Sequence, residues 1–147
     1  RLPVPEEYLH ICRDYDKVAV LELKAPFSDE TLREIRALVQ AHHSEENTVY
    51  ISFFYENLTA LRRMDDSLKL QFLCGGADDL NEERMQDMAK NRIGADAYYA
   101  ILNEEKVARL HELGLEVNVW TLDLPEQAET AMRWGVDYIT TDILEQE

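Results

Sequence analysis

The chain has 147 residues and sets thirty acids against fifteen lysines and arginines, a formal net charge of −15. An apolar share of 46% with 31% charged residues describes one globular domain with a core and excludes a disordered acidic tail. The acidic balance argues against nucleic acid or an anionic membrane surface as partner, and no apolar run reaches the roughly 18 to 20 residues that span a bilayer.

Arg1-Leu2-Pro3-Val4-Pro5 leads into a polar helix, without a signal-like start. A first strand is expected at Val18–Lys24. Its alternation puts Val18, Val20, Glu22 and Lys24 on one face and Ala19, Leu21 and Leu23 on the other. Both faces begin apolar, as in a strand covered on both sides; a carboxylate and an ammonium then appear where the strand ends. Ser28 is placed to cap the next helix, whose first turn carries Asp29 and Glu30.

Further strands are expected at Thr48–Phe53, Lys69–Leu73, Ala97–Ile101, Glu116–Thr121 and Tyr138–Thr141. Asn81 and Asn103 suit helix caps, Pro125 suits a helix start, and Gly114 and Gly135 sit where helices should stop. Strands alternating with helices, without hairpin signals, predict a parallel sheet. The strand ends recur about every 24 residues and none is followed by a glycine-rich phosphate loop, so a β/α barrel is favoured over a dinucleotide fold. A closed barrel needs eight units, and six are visible.

In such barrels the site lies at the carboxyl ends of the strands. Those ends carry Glu22 and Lys24, Ser52 and Phe53, Tyr98 and Tyr99, Trp120, and the run Thr140-Thr141-Asp142. Glu22 with Lys24 reads equally as a site or as a partly buried ion pair. For Trp120, core packing competes with a pocket wall, and its sharing a face with Asn118 favours the wall. His10 and His111 fall inside expected helices, and His42 and His43 near a helix end, so none reaches a strand end. Cys12 and Cys74 lack metal-ligand spacing and read as a reduced pair, which fits a cytoplasmic location.

The segments PVPEEYLHIC, LELK, ISFFYENLTALRRMDDSLKLQFL, GLEVNVWTLD and WGVDYITTD, in that order, resemble the C-terminal part of the glycerophosphodiester phosphodiesterase family. The resemblance implies six βα units of a TIM-type (β/α)8 barrel, lacking the first two strands, with residues 1–147 as one partial domain. It implies hydrolysis of glycerophosphodiesters to an alcohol and glycerol 3-phosphate, assisted by a divalent cation, Ca2+ or Mg2+. Glu22 is similar to a family metal ligand, Lys24 to a phosphate-contacting cation, and Phe53 and Trp120 to pocket walls. The family's His-Arg-Gly strand end, its further acidic ligands and its second histidine have no counterpart here. The isolated chain is therefore expected to lack catalytic residues, to be inactive, and to self-associate or require a missing amino-terminal segment. The alternatives are a non-catalytic barrel-derived module that binds a phosphorylated ligand or a protein partner, and a related phospholipase-type phosphodiesterase.

Overall fold

The computed structural model describes residues 5–143. Among them strands and helices alternate as α1 (Pro5–Asp14), β1 (Ala19–Glu22), α2 (Asp29–His42), β2 (Thr48–Ser52), α3 (Tyr55–Met64), β3 (Lys69–Cys74), α4 (Glu82–Asn91), β4 (Gly94–Tyr98), α5 (Glu104–Glu112), β5 (Val117–Trp120), α6 (Pro125–Trp134) and β6 (Tyr138–Ile139). The strand order follows the chain from β1 to β6. The pairs β1–β2, β4–β5 and β5–β6 are parallel. The chain divides into two compact units at Gln71/Phe72, within β3.

The punctuation expected from the sequence forms. Ser28 Oγ accepts the amide of Thr31, Asn81 Oδ1 that of Arg84, and Asn103 Oδ1 that of Lys106, each satisfying an amide that the first helical turn leaves open. Pro125 opens α6, and Gly135 ends it at φ 82°, a left-handed conformation that glycine adopts without a Cβ penalty.

β4 departs from expectation. It runs over Gly94–Tyr98 rather than Ala97–Ile101, and Tyr99–Ile101 is a 3-10 turn. Glycine and alanine are poor strand formers in isolation. Here their small side chains suit a strand whose first four residues are all buried, Asp96 included. The adjacent tyrosines consequently serve different surfaces. Tyr98 ends the strand, while Tyr99 stacks on Trp134 of α6 at 5.4 Å and 15° between planes.

In the first unit, register pairs Ala19 with Thr48 and Glu22 with Ile51. Ala19, Leu23, Thr48, Tyr50 and Ser52 are buried, as are Leu9, Leu32, Val39, Leu58 and Leu61 of the helices. The other strand face, bearing Val20, Glu22, Val49 and Ile51, is only partly covered. At β1 the Tyr8 hydroxyl accepts the Val20 amide at 3.0 Å and donates to the Val20 carbonyl at 3.3 Å. One side chain thus satisfies both backbone groups of the strand's second residue. The second unit buries Met85, Met88, Ile93, Val107, Leu110, Val117, Val119 and Leu122.

A charged cluster ties the first unit together behind β2. Arg36 of α2 donates to both carboxylate oxygens of Glu45, at 2.7 and 2.9 Å, and to Asp65 at 2.8 Å. Gln40 and the buried Tyr50 hydroxyl also donate to Glu45. Burial pushes the Glu45 carboxyl up, but these hydrogen bonds outweigh it and hold the group below its usual value of 4.5. Asp65 is also lowered, first by the Ser67 hydroxyl and amide and then by Arg36. Both folded values lie below the unfolded ones, so the stability they contribute is full above the unfolded pKa. It is lost as pH falls through the folded one. Glu45→Gln is expected to cost about 2 kcal/mol near neutrality, less than the roughly 3–5 typical of a broken buried pair because Asp65 still faces Arg36. Urea midpoints measured between about pH 7 and pH 3 should fall less steeply for this variant than for the parent. Parallel curves would show that Glu45 does not drive the acid response.

Candidate active site

The LELK stretch sets the candidate residues of the first unit. Strand alternation carries Glu22 and Lys24 to the same face at the carboxyl end of β1, where Lys24 Nζ lies 3.6 Å from Glu22 Oε2. Lys24 is 79% exposed and Glu22 32%. An ion pair this open adds little stability, so its worth to the fold does not explain its place. Phe53, 49% exposed, follows Ser52 at the end of β2, and alternation gives it the face of Ile51, the register partner of Glu22. Three residues singled out from the sequence, Glu22, Lys24 and Phe53, therefore share one strand face.

Ser52 points the other way and is buried. Its hydroxyl donates to the Leu23 carbonyl at 2.7 Å and accepts the Phe54 amide at 3.0 Å. Asn57, buried in the first turn of α3, completes this support. Its amide donates to the Ala25 carbonyl and to Ser52 Oγ, and its oxygen accepts the Phe27 amide. The loop after Lys24 is thus fixed by side chains behind it. Asn57 escaped the sequence reading. Its one signal is a residue of weak helix propensity where a helix begins.

The second unit sets Tyr98 and Trp120 side by side. They are register partners at the ends of β4 and β5, with ring centroids 5.2 Å apart and planes tilted by 37°. Trp120 Nε1 donates to the Asp96 carbonyl at 2.9 Å, which fixes the indole. Trp120 is partly exposed rather than buried in a core. Asn118 is buried and in register with Asp96 and Tyr138, and it accepts the Thr140 hydroxyl at 3.2 Å. Asp123, beyond β5, accepts the Asp142 amide and the Thr141 hydroxyl, joining the ends of the last two strands.

The other chemistry-bearing side chains lie elsewhere. His10 and His42 contact each other at 2.8 Å between α1 and α2, His43 meets the Asn47 carbonyl, and His111 meets Asp137. None of these four sits at a strand's carboxyl end. Cys12 and Cys74 are both free and buried. Burial, then the charges of Asp79 and Asp96, push the Cys74 thiol far up, which removes it as a nucleophile. Among the described residues no group of three His, Cys, Asp or Glu converges as a metal site. Glu22 offers one carboxylate where a hard cation takes six or more oxygens, so these residues alone do not fit a complete metal centre. A groove of about 520 Å3 between α4 and α5 has none of the candidate residues Glu22, Lys24, Phe53 or Trp120 in its lining, and Arg109 there is already paired with Glu82 and Glu112.

No helix among the described residues is long and apolar enough to cross a membrane. The model of the glycerophosphoryl diester phosphodiesterase family matches residues 14–146. A glycerophosphodiester phosphodiesterase of Caldanaerobacter subterraneus is 27% identical over 97% of this chain and 58% of its own length. A crystal structure of a candidate glycerophosphoryl diester phosphodiesterase from Silicibacter pomeroyi is 28% identical, covering 95% of this chain and 52% of that one at a TM-score of 0.83. An Oleispira antarctica phosphodiesterase, solved with its product sn-glycerol-3-phosphate, shares the fold at a TM-score of 0.82 with 15% identity, over 95% of this chain and 57% of its own. The chain thus spans little more than half the length of these relatives. With the match running through LELK, NVWT and GVDYITTD, the chain belongs to the glycerophosphoryl diester phosphodiesterase family.

Proposed function

We propose that these residues are the C-terminal part of a barrel, lacking its first two strands, that hydrolyses glycerophosphodiesters to an alcohol and glycerol 3-phosphate. The observation that carries this reading is the open ion pair of Glu22 and Lys24 on a strand face shared with Phe53. Lys24 can turn its exposed ammonium to a phosphodiester oxygen and offset charge that grows as water attacks phosphorus. Phe53 and Trp120 supply apolar walls for the glycerol and alcohol moieties. Glu22 contributes one oxygen toward Ca2+ or Mg2+, and such a cation, when bound, acts as a Lewis acid on the phosphoryl oxygens. The remaining ligands and the proton-carrying histidines are assigned to a complementing amino-terminal segment.

In protein that carries that segment, Glu22→Gln is expected to lower kcat/KM at least about 100-fold and to weaken metal activation, because a ligand charge is lost while the shape is kept. Metal titration of the activity checks this. An unchanged titration returns Glu22 to a merely structural pair.

Trp120→Ala in the same protein is expected to raise KM roughly tenfold by removing a broad apolar surface. If thermal stability alone falls, Trp120 is a packing residue.

The 147-residue chain by itself is expected to hydrolyse no glycerophosphodiester with either metal and to self-associate through its partly covered strand face, which bears Val18, Val20 and Phe53. The complementing segment, in cis or as a separate fragment, should restore a monomer and activity together. Sedimentation with a glycerophosphodiester assay decides it. A well-behaved monomer that turns over substrate would sink the assignment of the catalytic groups to the other segment.

A further inference from the structure

Away from the strand ends, we propose that His10 and His42 form a separate metal site, for a borderline divalent ion of the Zn2+, Ni2+ or Cu2+ class, that clips α1 to α2. His10 Nε2 lies 2.8 Å from His42 Nδ1, with ring centroids 4.8 Å apart and planes tilted by 57°. The two rings come from different helices, 32 positions apart. Two imidazole nitrogens about 2.0–2.1 Å from one ion stand roughly 2.9 Å apart at a right angle and roughly 3.3 Å apart at the tetrahedral angle. The observed separation is close to that of a right-angled ligand pair, so the aim of the rings has to change more than their spacing. In the present contact one nitrogen donates and the other accepts. When an ion binds, the donor's proton moves to the second nitrogen of its own ring, and both facing nitrogens offer a lone pair.

The surroundings favour a cation. Both rings are half-buried, within reach of an ion from solvent. His42 is the last residue of α2, where carbonyls without a helical partner carry partial negative charge. On α1, Glu6 stands one turn before His10 on the same side of the helix. Arg13, one turn after it, turns its guanidinium to Asp14. Imidazole nitrogens suit Zn2+, Ni2+ and Cu2+, whereas Ca2+ and Mg2+ take oxygen ligands, which separates this pair from the cation assigned to Glu22. Among the described residues no third His, Cys, Asp or Glu completes the set, so water fills the remaining positions and the ion exchanges with solvent. His43 and His111 do not share the role, because they meet the Asn47 carbonyl and Asp137. The clip acts on α1, whose Leu9 and Cys12 are buried and whose Tyr8 hydroxyl holds Val20 of β1.

The test titrates the full 147-residue chain with Ni2+ by calorimetry. One ion is expected to bind per chain, and an excess of Mg2+ or Ca2+ should not displace it. His10→Gln and His42→Gln should each weaken binding at least about tenfold, because the second nitrogen no longer acts at high effective concentration. His43→Gln and His111→Gln should leave it unchanged. Ni2+ should also raise the urea midpoint of the parent and not that of His42→Gln, since the ion binds the folded pair in preference to separated rings. A measurement on the parent needs no variant to fold. In its NMR spectrum a trace of paramagnetic Cu2+ should broaden the ring signals of His10 and His42 ahead of those of His43 and His111. Binding that keeps its strength in His10→Gln or His42→Gln, a site emptied by Mg2+, or equal broadening of all four rings overturns the proposal.

Discussion

The arrangement of the first unit depends on the register of β1 against β2. Ala19 meets Thr48 and Glu22 meets Ile51, so one face gathers Ala19, Leu23, Thr48, Tyr50 and Ser52 for burial. The opposite face receives Val20, Glu22, Lys24, Val49, Ile51 and Phe53. A slip of β1 by one residue would exchange that strand's buried and open sides and push a carboxylate toward the helices. Parallel pairing adds a second constraint. Within the pairs β1–β2, β4–β5 and β5–β6 each strand must be reached by a crossover, so the carboxyl ends of a pair open onto loops on the same side.

Behind that side the protein invests its polar groups in rigidity. Ser52 and Asn57 hold Leu23, Ala25 and Phe27 by their backbone, so the loop after Lys24 has few ways to move. Trp120 is held through Asp96 in the same manner. Side chains that would meet a ligand are exposed, and those that fix them are buried. This division is how a site keeps its geometry without filling its own space.

Much of this was legible in the sequence because it rests on local rules. The period-2 alternation of VAVLELK assigned Glu22 and Lys24 to one face, and Ser28, Asn81, Asn103 and Gly135 announced their helix ends. What remained hidden depends on partners distant along the chain. Gly94-Ala95-Asp96-Ala97 has the composition of a loop, and only burial on both faces makes it a strand. Nothing in the composition of YENL says that Asn57 will meet residues thirty positions earlier. Nor does the pair Tyr98-Tyr99 reveal which ring turns to Trp120 and which to Trp134.

The Tyr8 hydroxyl, bonded to both backbone groups of Val20, stands in for one residue of a neighbouring strand. Its partner is only twelve positions away. A loop of about that length closes in roughly 10–100 ns. The contact is therefore local and needs no residue of β2. The hydroxyl, unlike a strand, has no far edge on which another chain could build.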